Sequence, residues 1–141
     1  MRFAAFILLL APGACSANHG CTNTMLETRP DTRGPLVAWR YVRQCGAADI
    51  SMNIAVGTRS GGLVGATSVF TADTGNGPVE MDGKYLWVEM QWTRPHQLSV
   101  AYAEKARVSL SVRAARGAAI RYRASASAAR PQLPIPPPQA R

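Results

Sequence analysis

A chain of 141 residues is long enough for one domain with a real core and too short for two. Apolar residues make up 47% of it and charged residues 17%, a balance that excludes disorder throughout. Sixteen Lys and Arg, fourteen of them Arg, stand against eight Asp and Glu, for a formal charge of +8. The only long apolar run lies at the N-terminus, which excludes a polytopic helical membrane protein.

That run reads as an export address. Met1-Arg2 precede Phe3-Ala4-Ala5-Phe6-Ile7-Leu8-Leu9-Leu10-Ala11, and small residues follow at Gly13-Ala14-Cys15-Ser16-Ala17. A positive charge, a short apolar stretch and small residues around a break are the parts of a secretory signal. The stretch falls well short of the roughly 20 residues that a membrane-spanning helix needs. Residues 1–17 are therefore expected to be a signal segment, and three endings stay open. Gly13-Ala14 before Cys15 suits lipidation of that Cys, although Pro12 stands where a lipoprotein signal usually has an aliphatic residue. Cleavage after Ala17, or after Ala14, would leave no lipid. Lipidation of Cys15 is the expectation, because that thiol otherwise has no use.

Cys21 and Cys45 then remain as an even pair in an oxidising compartment, where a disulfide is the economical reading. It would close a loop of about 25 residues and contribute roughly 3 to 4 kcal/mol in the chain-entropy account. A metal site or a thiol nucleophile are the alternatives. Against a metal, Cys21 has only His19 beside it and Cys45 has no Cys or His within a few residues. No Cys-x-x-Cys occurs.

The body, residues 18–124, reads as β-structure taken in order. Pro35 to Gln44 is rich in β-branched and aromatic residues and follows the turn signal Arg29-Pro30-Asp31-Thr32-Arg33-Gly34. Ile50, Met52, Ile54 and Val56 alternate on one face; Gly57 to Gly62 is a turn, and Leu63 to Phe70 a strand weakened by Gly65. After the loop Ala72 to Pro78, Leu86, Val88, Met90 and Trp92 face one way and Tyr85, Trp87, Glu89 and Gln91 the other, with Trp87 and Tyr85 expected to be buried in a sandwich. Leu98, Val100 and Tyr102 share a face of the next strand. Val108, Leu110 and Val112 are expected inside and Arg107, Ser109, Ser111 and Arg113 outside; Ile120 and Tyr122 then alternate with Arg121 and Arg123. The period is two throughout, not 3.6. The expected fold is therefore all-β: an antiparallel meander of about seven short strands forming a small sandwich or half-open barrel. Residues 125–141 hold five of the ten prolines and no periodic apolar face, and read as a disordered Ala/Pro-rich tail, partly polyproline in conformation.

A resemblance joins these segments. Cys21-x-Asn23, the turn at Pro30-Asp31, and Ala38-Trp39-Arg40-Tyr41-Val42-Arg43-Gln44-Cys45-Gly46-Ala47 resemble a group of small uncharacterised exported bacterial proteins, many with lipoprotein-type signals. Ser68-Val69-Phe70-Thr71-Ala72-Asp73, Val88-Glu89-Met90-Gln91-Trp92, Leu98-Ser99-Val100-Ala101-Tyr102, Ala106-Arg107-Val108 and Ile120-Arg121-Tyr122 are similar to later segments of that group. The resemblance implies export, a Cys pair and a β-rich body. It implies no activity.

The chemistry-bearing residues are few. His19 and His96 have no partnered nucleophile at recognisable spacing, and no Gly-x-Ser-x-Gly, phosphate loop or dinucleotide fingerprint occurs. Asp73-Thr74-Gly75-Asn76-Gly77 has the composition of a cation loop without its closing acid, and reads first as turn chemistry. No catalytic constellation, metal site or cofactor is expected. The Arg excess is the feature that invites a partner: Arg107, Arg113, Arg121 and Arg123 fall on the last two strands and would form one basic patch if those strands pair. The expected function is a non-enzymatic binding or structural module of the bacterial cell envelope, in the periplasm, lipid-anchored or secreted. Its partner would be an anionic membrane surface, an envelope polysaccharide or an envelope protein, and not nucleic acid. The alternative is a small exported hydrolase using carboxylates near the Asp73 loop together with His96.

Overall fold

A computed structural model describes residues 20–126. The expected signal segment with Cys15, His19 and the expected tail from Ser127 onward lie outside the described residues. Among those described, no helix forms and eleven strands do: β1 (Thr22–Pro30), β2 (Leu36–Cys45), β3 (Asp49–Thr58), β4 (Thr67–Asp73), β5 (Met81–Asp82), β6 (Tyr85–Leu86), β7 (Val88–Arg94), β8 (Gln97–Ala103), β9 (Arg107–Ser111), β10 (Ala114–Ala115) and β11 (Ala118–Ser125). They make a five-stranded sheet in the order β1-β2-β3-β4-β9, a four-stranded sheet in the order β10-β11-β8-β7, and the separate hairpin β5-β6. The all-β architecture follows from the period-two alternation, since each strand has one apolar face to bury.

Those faces meet in one core. Leu36, Ala38 and Val42 of β2, Met52, Ile54 and Val56 of β3, and Phe70 and Ala72 of β4 lie against Val88, Met90 and Trp92 of β7, Leu98 and Val100 of β8, and Ile120 of β11. Phe70, fully buried, sits 5.2 Å from the Tyr102 ring and stacks 5.7 Å from that of Tyr122. The Tyr122 hydroxyl lies 2.7 Å from both the Val69 and the Val112 carbonyl oxygens and gives its single proton to one at a time. Burial pushes this phenol up to about 12. Two further bonds cross between the sheets: Arg40 Nη1 donates to the Val88 carbonyl (2.7 Å) and Trp92 Nε1 to the Arg29 carbonyl (2.9 Å).

The outer face of the five-stranded sheet is also apolar at its centre, where Val37, Trp39, Tyr41 and Ala55 are buried on the side opposite the main core. The chain between β3 and β4 folds back over this face. A Cβ at Gly57 would lie 3.0 Å from the Ala66 Cα and 3.2 Å from the Trp39 ring, so any larger residue would require the fold-back or the ring to give by a few tenths of an ångström. Residues 63–66, expected as the start of a strand, belong to this fold-back as turn, and β4 begins at Thr67.

Other departures from the expected meander share a physical origin, the path of β9. That strand does not stay beside β8 but crosses to pair antiparallel with β4. The tight hairpin β10-β11 brings the chain back, so β11 pairs with β8 in parallel, the one parallel pair among the described strands. A register shift lies opposite Thr71/Ala72. It leaves Leu110 opposite Thr71, while Val108 and Val112 pack on the core, so Leu110 departs from the expected inward row. Strand β1 was hidden by its composition. Its residues are mostly exposed, yet it pairs with β2 from Thr22 to Pro30. The chain departs from β7 at Trp87, so Tyr85 and Leu86 pair back with Asp82 and Met81. Trp87 is buried and Tyr85 half-buried against the core, as the sandwich requires.

Cys21 and Cys45 form a disulfide across the end of the β1-β2 ladder, closing 24 residues of sequence. Such a bond is what an extracellular or otherwise oxidising compartment sustains. Because it limits the unfolded chain, replacing both residues by Ser is expected to lower unfolding free energy by about 3 kcal/mol. Denaturant unfolding with and without reductant checks this: reductant should bring the native chain to the level of the double variant and leave the variant unchanged.

Candidate functional site

Asp73 ends β4 directly opposite Arg107, the first residue of β9. The guanidinium grips the carboxylate bidentately, Nε at 2.9 Å from Oδ1 and Nη2 at 2.9 Å from Oδ2. Gly75 N donates to the same Oδ1 at 2.7 Å, closing the turn that leaves the strand. The Arg107 hydrogen bond holds the Asp73 carboxyl below its ordinary value; partial burial opposes the shift, and the Gly75 amide adds to it. Asp73 is thereby engaged as an ion-pair partner and turn former.

His96 sits in the two-residue turn Pro95-His96 between β7 and β8, at φ 59°. A non-glycine residue there needs support from its surroundings. Asp31 supplies it: its Oδ2 accepts from His96 N at 3.0 Å and lies 3.1 Å from His96 Nδ1, and the Asp31 side chain is fully buried. Asp31 N in turn donates to the Leu36 carbonyl, so the β1-β2 turn is locked to the β7-β8 turn. Along β3 the register places Asp73 beyond Met52 and the Leu36 neighbourhood at Thr58. Asp73 and His96 therefore occupy opposite ends of the sandwich, on the order of 20 Å apart along the strand direction. The geometry does not bring the two candidate hydrolytic residues together.

The four arginines divide as well. β9 and β11 do not pair, so the condition for a single patch of four is not met. Arg107 belongs to the five-stranded sheet and is matched by Asp73. Arg113 stays beside β11, its carbonyl accepting from Ile120 N at 2.8 Å. Arg121 and Arg123, both exposed, project from the outer face of β11, opposite Ser99 and Ala101 of β8. In the next strand these rows end at Gln91 and Glu89 of β7, and Glu89 accepts from Trp87 Nε1 at 3.3 Å. Two strand spacings, roughly 10 Å, thus separate the backbone of Arg121 and Arg123 from that of Gln91 and Glu89.

Two networks lay beyond the reach of the sequence. Glu27 holds Arg40 at 3.1 Å and also pairs with Arg29, at the open edge where β1 faces β7. The Asp31 clamp could have been suspected only from the buried side chain, because an Asp beside Pro30 reads as an ordinary turn residue. Among the described residues no group of three or more His, Cys, Asp or Glu could hold a metal ion, and no helix is long and apolar enough to cross a membrane. The chain matches no protein-family model, no curated protein and no solved structure.

The Asp73–Arg107 pair has a defined pH signature. A carboxyl depressed by folding contributes stability that is complete above its unfolded value, near 3.9, and is lost as pH falls through the lower folded value. In Arg107→Gln the Asp73 carboxyl is expected to titrate back toward the ordinary range. Carbon-detected NMR titration of the two proteins checks this, since the native Asp73 resonance should still report an ionised carboxylate at a pH where that of the variant has protonated.

Proposed function

We propose that this protein is an exported, non-enzymatic binding module of the bacterial cell envelope that meets an anionic surface with the outer face of its four-stranded sheet. The observation that carries the reading is the placement of Arg121 and Arg123. They share one face of β11, are exposed, and have no acidic partner among the described residues, while Arg107 is matched by Asp73. Planar guanidiniums two residues apart on a strand suit an array of oxyanions, either lipid phosphates or the acidic groups of a polysaccharide. Export is supported by the N-terminal signal pattern and by the Cys21–Cys45 disulfide.

Co-sedimentation with phosphatidylglycerol vesicles tests the surface, with an acidic polysaccharide column as the parallel arm. Binding is expected to weaken as salt rises. At about 1 kcal/mol per charge near an anionic bilayer, Arg121→Gln with Arg123→Gln should lower affinity on the order of thirtyfold. Arg33→Gln with Arg59→Gln removes the same net charge elsewhere and should cost far less. Binding to the column alone assigns the oxyanions to polysaccharide; no binding in either arm, or equal losses from both double variants, overturns the reading. Export is tested by intact mass after expression in a Gram-negative host: the mature chain should start at Cys15 with added acyl mass. A start at Asn18 would make it an exported protein without lipid, and a cytosolic chain retaining residues 1–17 would refute export.

A further inference from the structure

At the end of the sandwich that holds Asp73, the core is reachable from outside. A cleft of about 240 Å³ opens between the β2-β3 end and the β5-β6 hairpin. Its floor is Val42, Met52 and Leu86, all buried members of the main core, and its mouth is flanked by Ile50 and Met81. Four large apolar side chains stand exposed among the described residues, and two of them are this pair, at 46% and 42%. Exposed apolar residues scattered singly need no explanation, but a concentration around a concave apolar floor marks a binding site.

The lip is polar and its charge is uneven. Lys84 lies on the hairpin with its ammonium 5.0 Å from the centre of the Tyr85 ring, and Asp73 lines the other side. Asp73, the one acid among the lining residues, is already held by Arg107, and Lys84 is the one cation among them. Ser51 faces the cleft too, but its hydroxyl accepts from the Asn53 amide at 3.0 Å. The volume lies just below the range typical for drug-sized ligands, which suits a slender chain. From an apolar floor, a narrow volume and a cationic lip, we infer that this cleft binds the aliphatic end of a free medium-chain carboxylate, with its carboxylate held at Lys84. The site is separate from the Arg121–Arg123 face, so the two readings succeed or fail independently.

Methyl NMR on the whole exported protein with octanoate, octanol and octylammonium as probes decides the matter. Octanoate should shift the methyl signals of Val42, Met52 and Leu86 saturably, and bind more tightly than octanol, with octylammonium weakest. Lys84→Gln should weaken octanoate roughly two- to fivefold, the range of one exposed charge pair, and leave octanol unchanged. Ile50→Gln and Met81→Gln replace exposed residues, leave the core intact, and should weaken both probes. Absence of shifts up to the solubility of octanoate, equal binding of the ammonium probe, or indifference of octanoate to Lys84→Gln would overturn the inference.

Discussion

The two sheets are joined through Phe70. It comes from the five-stranded sheet, packs tilted against Tyr102 and stacks on Tyr122, which stand on β8 and β11 of the other. Aromatic contacts of this geometry are worth about 0.5–1.5 kcal/mol beyond the area they bury. Their larger effect here is to fix which strand faces which. Tyr122 fills the place beside Phe70 and bonds the backbone of Val69 and Val112, and the second of these lies just past the end of β9. One side chain thus ties β4, the exit from β9, and β11 together at the point where the chain changes sheets.

Around this core, polar side chains are used mainly to close ends and edges. Arg40 and Trp92 cap carbonyls of the facing sheet, and Asp31 locks two turns together while supporting His96 at a positive φ. Arg116 is similar: it stands at φ 55° in the β10-β11 turn, and its guanidinium donates to Thr67 Oγ1 at 3.0 Å and to the Gly65 carbonyl at 2.8 Å. Asparagine or glycine is the usual occupant of such a turn position. An arginine fits because its reach supplies a tertiary bond that a shorter residue could not make. The Arg excess is therefore partly a structural device, and the charge alone says little about a ligand.

Legibility in the sequence followed the strength of the alternation. Ile50 to Val56 and Leu86 to Trp92 show their apolar faces plainly, because each apolar residue recurs at every second position, and the core takes all of them but Ile50, which stays exposed at the strand end. β1 carries no such signal: Thr22-Asn23-Thr24-Met25-Leu26-Glu27-Thr28-Arg29-Pro30 is held by its backbone ladder, its disulfide and the inward packing of Leu26. Leu110 was misplaced by a register shift, which reverses a face without changing composition. The choice of sheet for β9 is a long-range matter that local pattern does not encode. The candidate site suffered for the same reason: the residues were visible, but their grouping depended on strand order.

That strand order decides the electrostatics of the cleft end and of the outer face of the four-stranded sheet. Had β9 stayed beside β8 in a simple meander, Arg107 would have joined the other arginines and left the Asp73 carboxylate without its bidentate partner. Crossing to β4 instead neutralises Asp73 at the lip of an apolar cleft, so that Lys84 governs what the lip attracts. The same crossing lets β11 lie against β8, where the residues facing Arg121 and Arg123 are Ser99 and Ala101 and not carboxylates. A guanidinium opposite a small neutral side chain keeps its hydration and its reach, and remains free to exchange both for an external anion. The topology thus spends one arginine to quiet an acid and leaves two exposed without an acidic partner, a separation of roles that net charge could not have revealed.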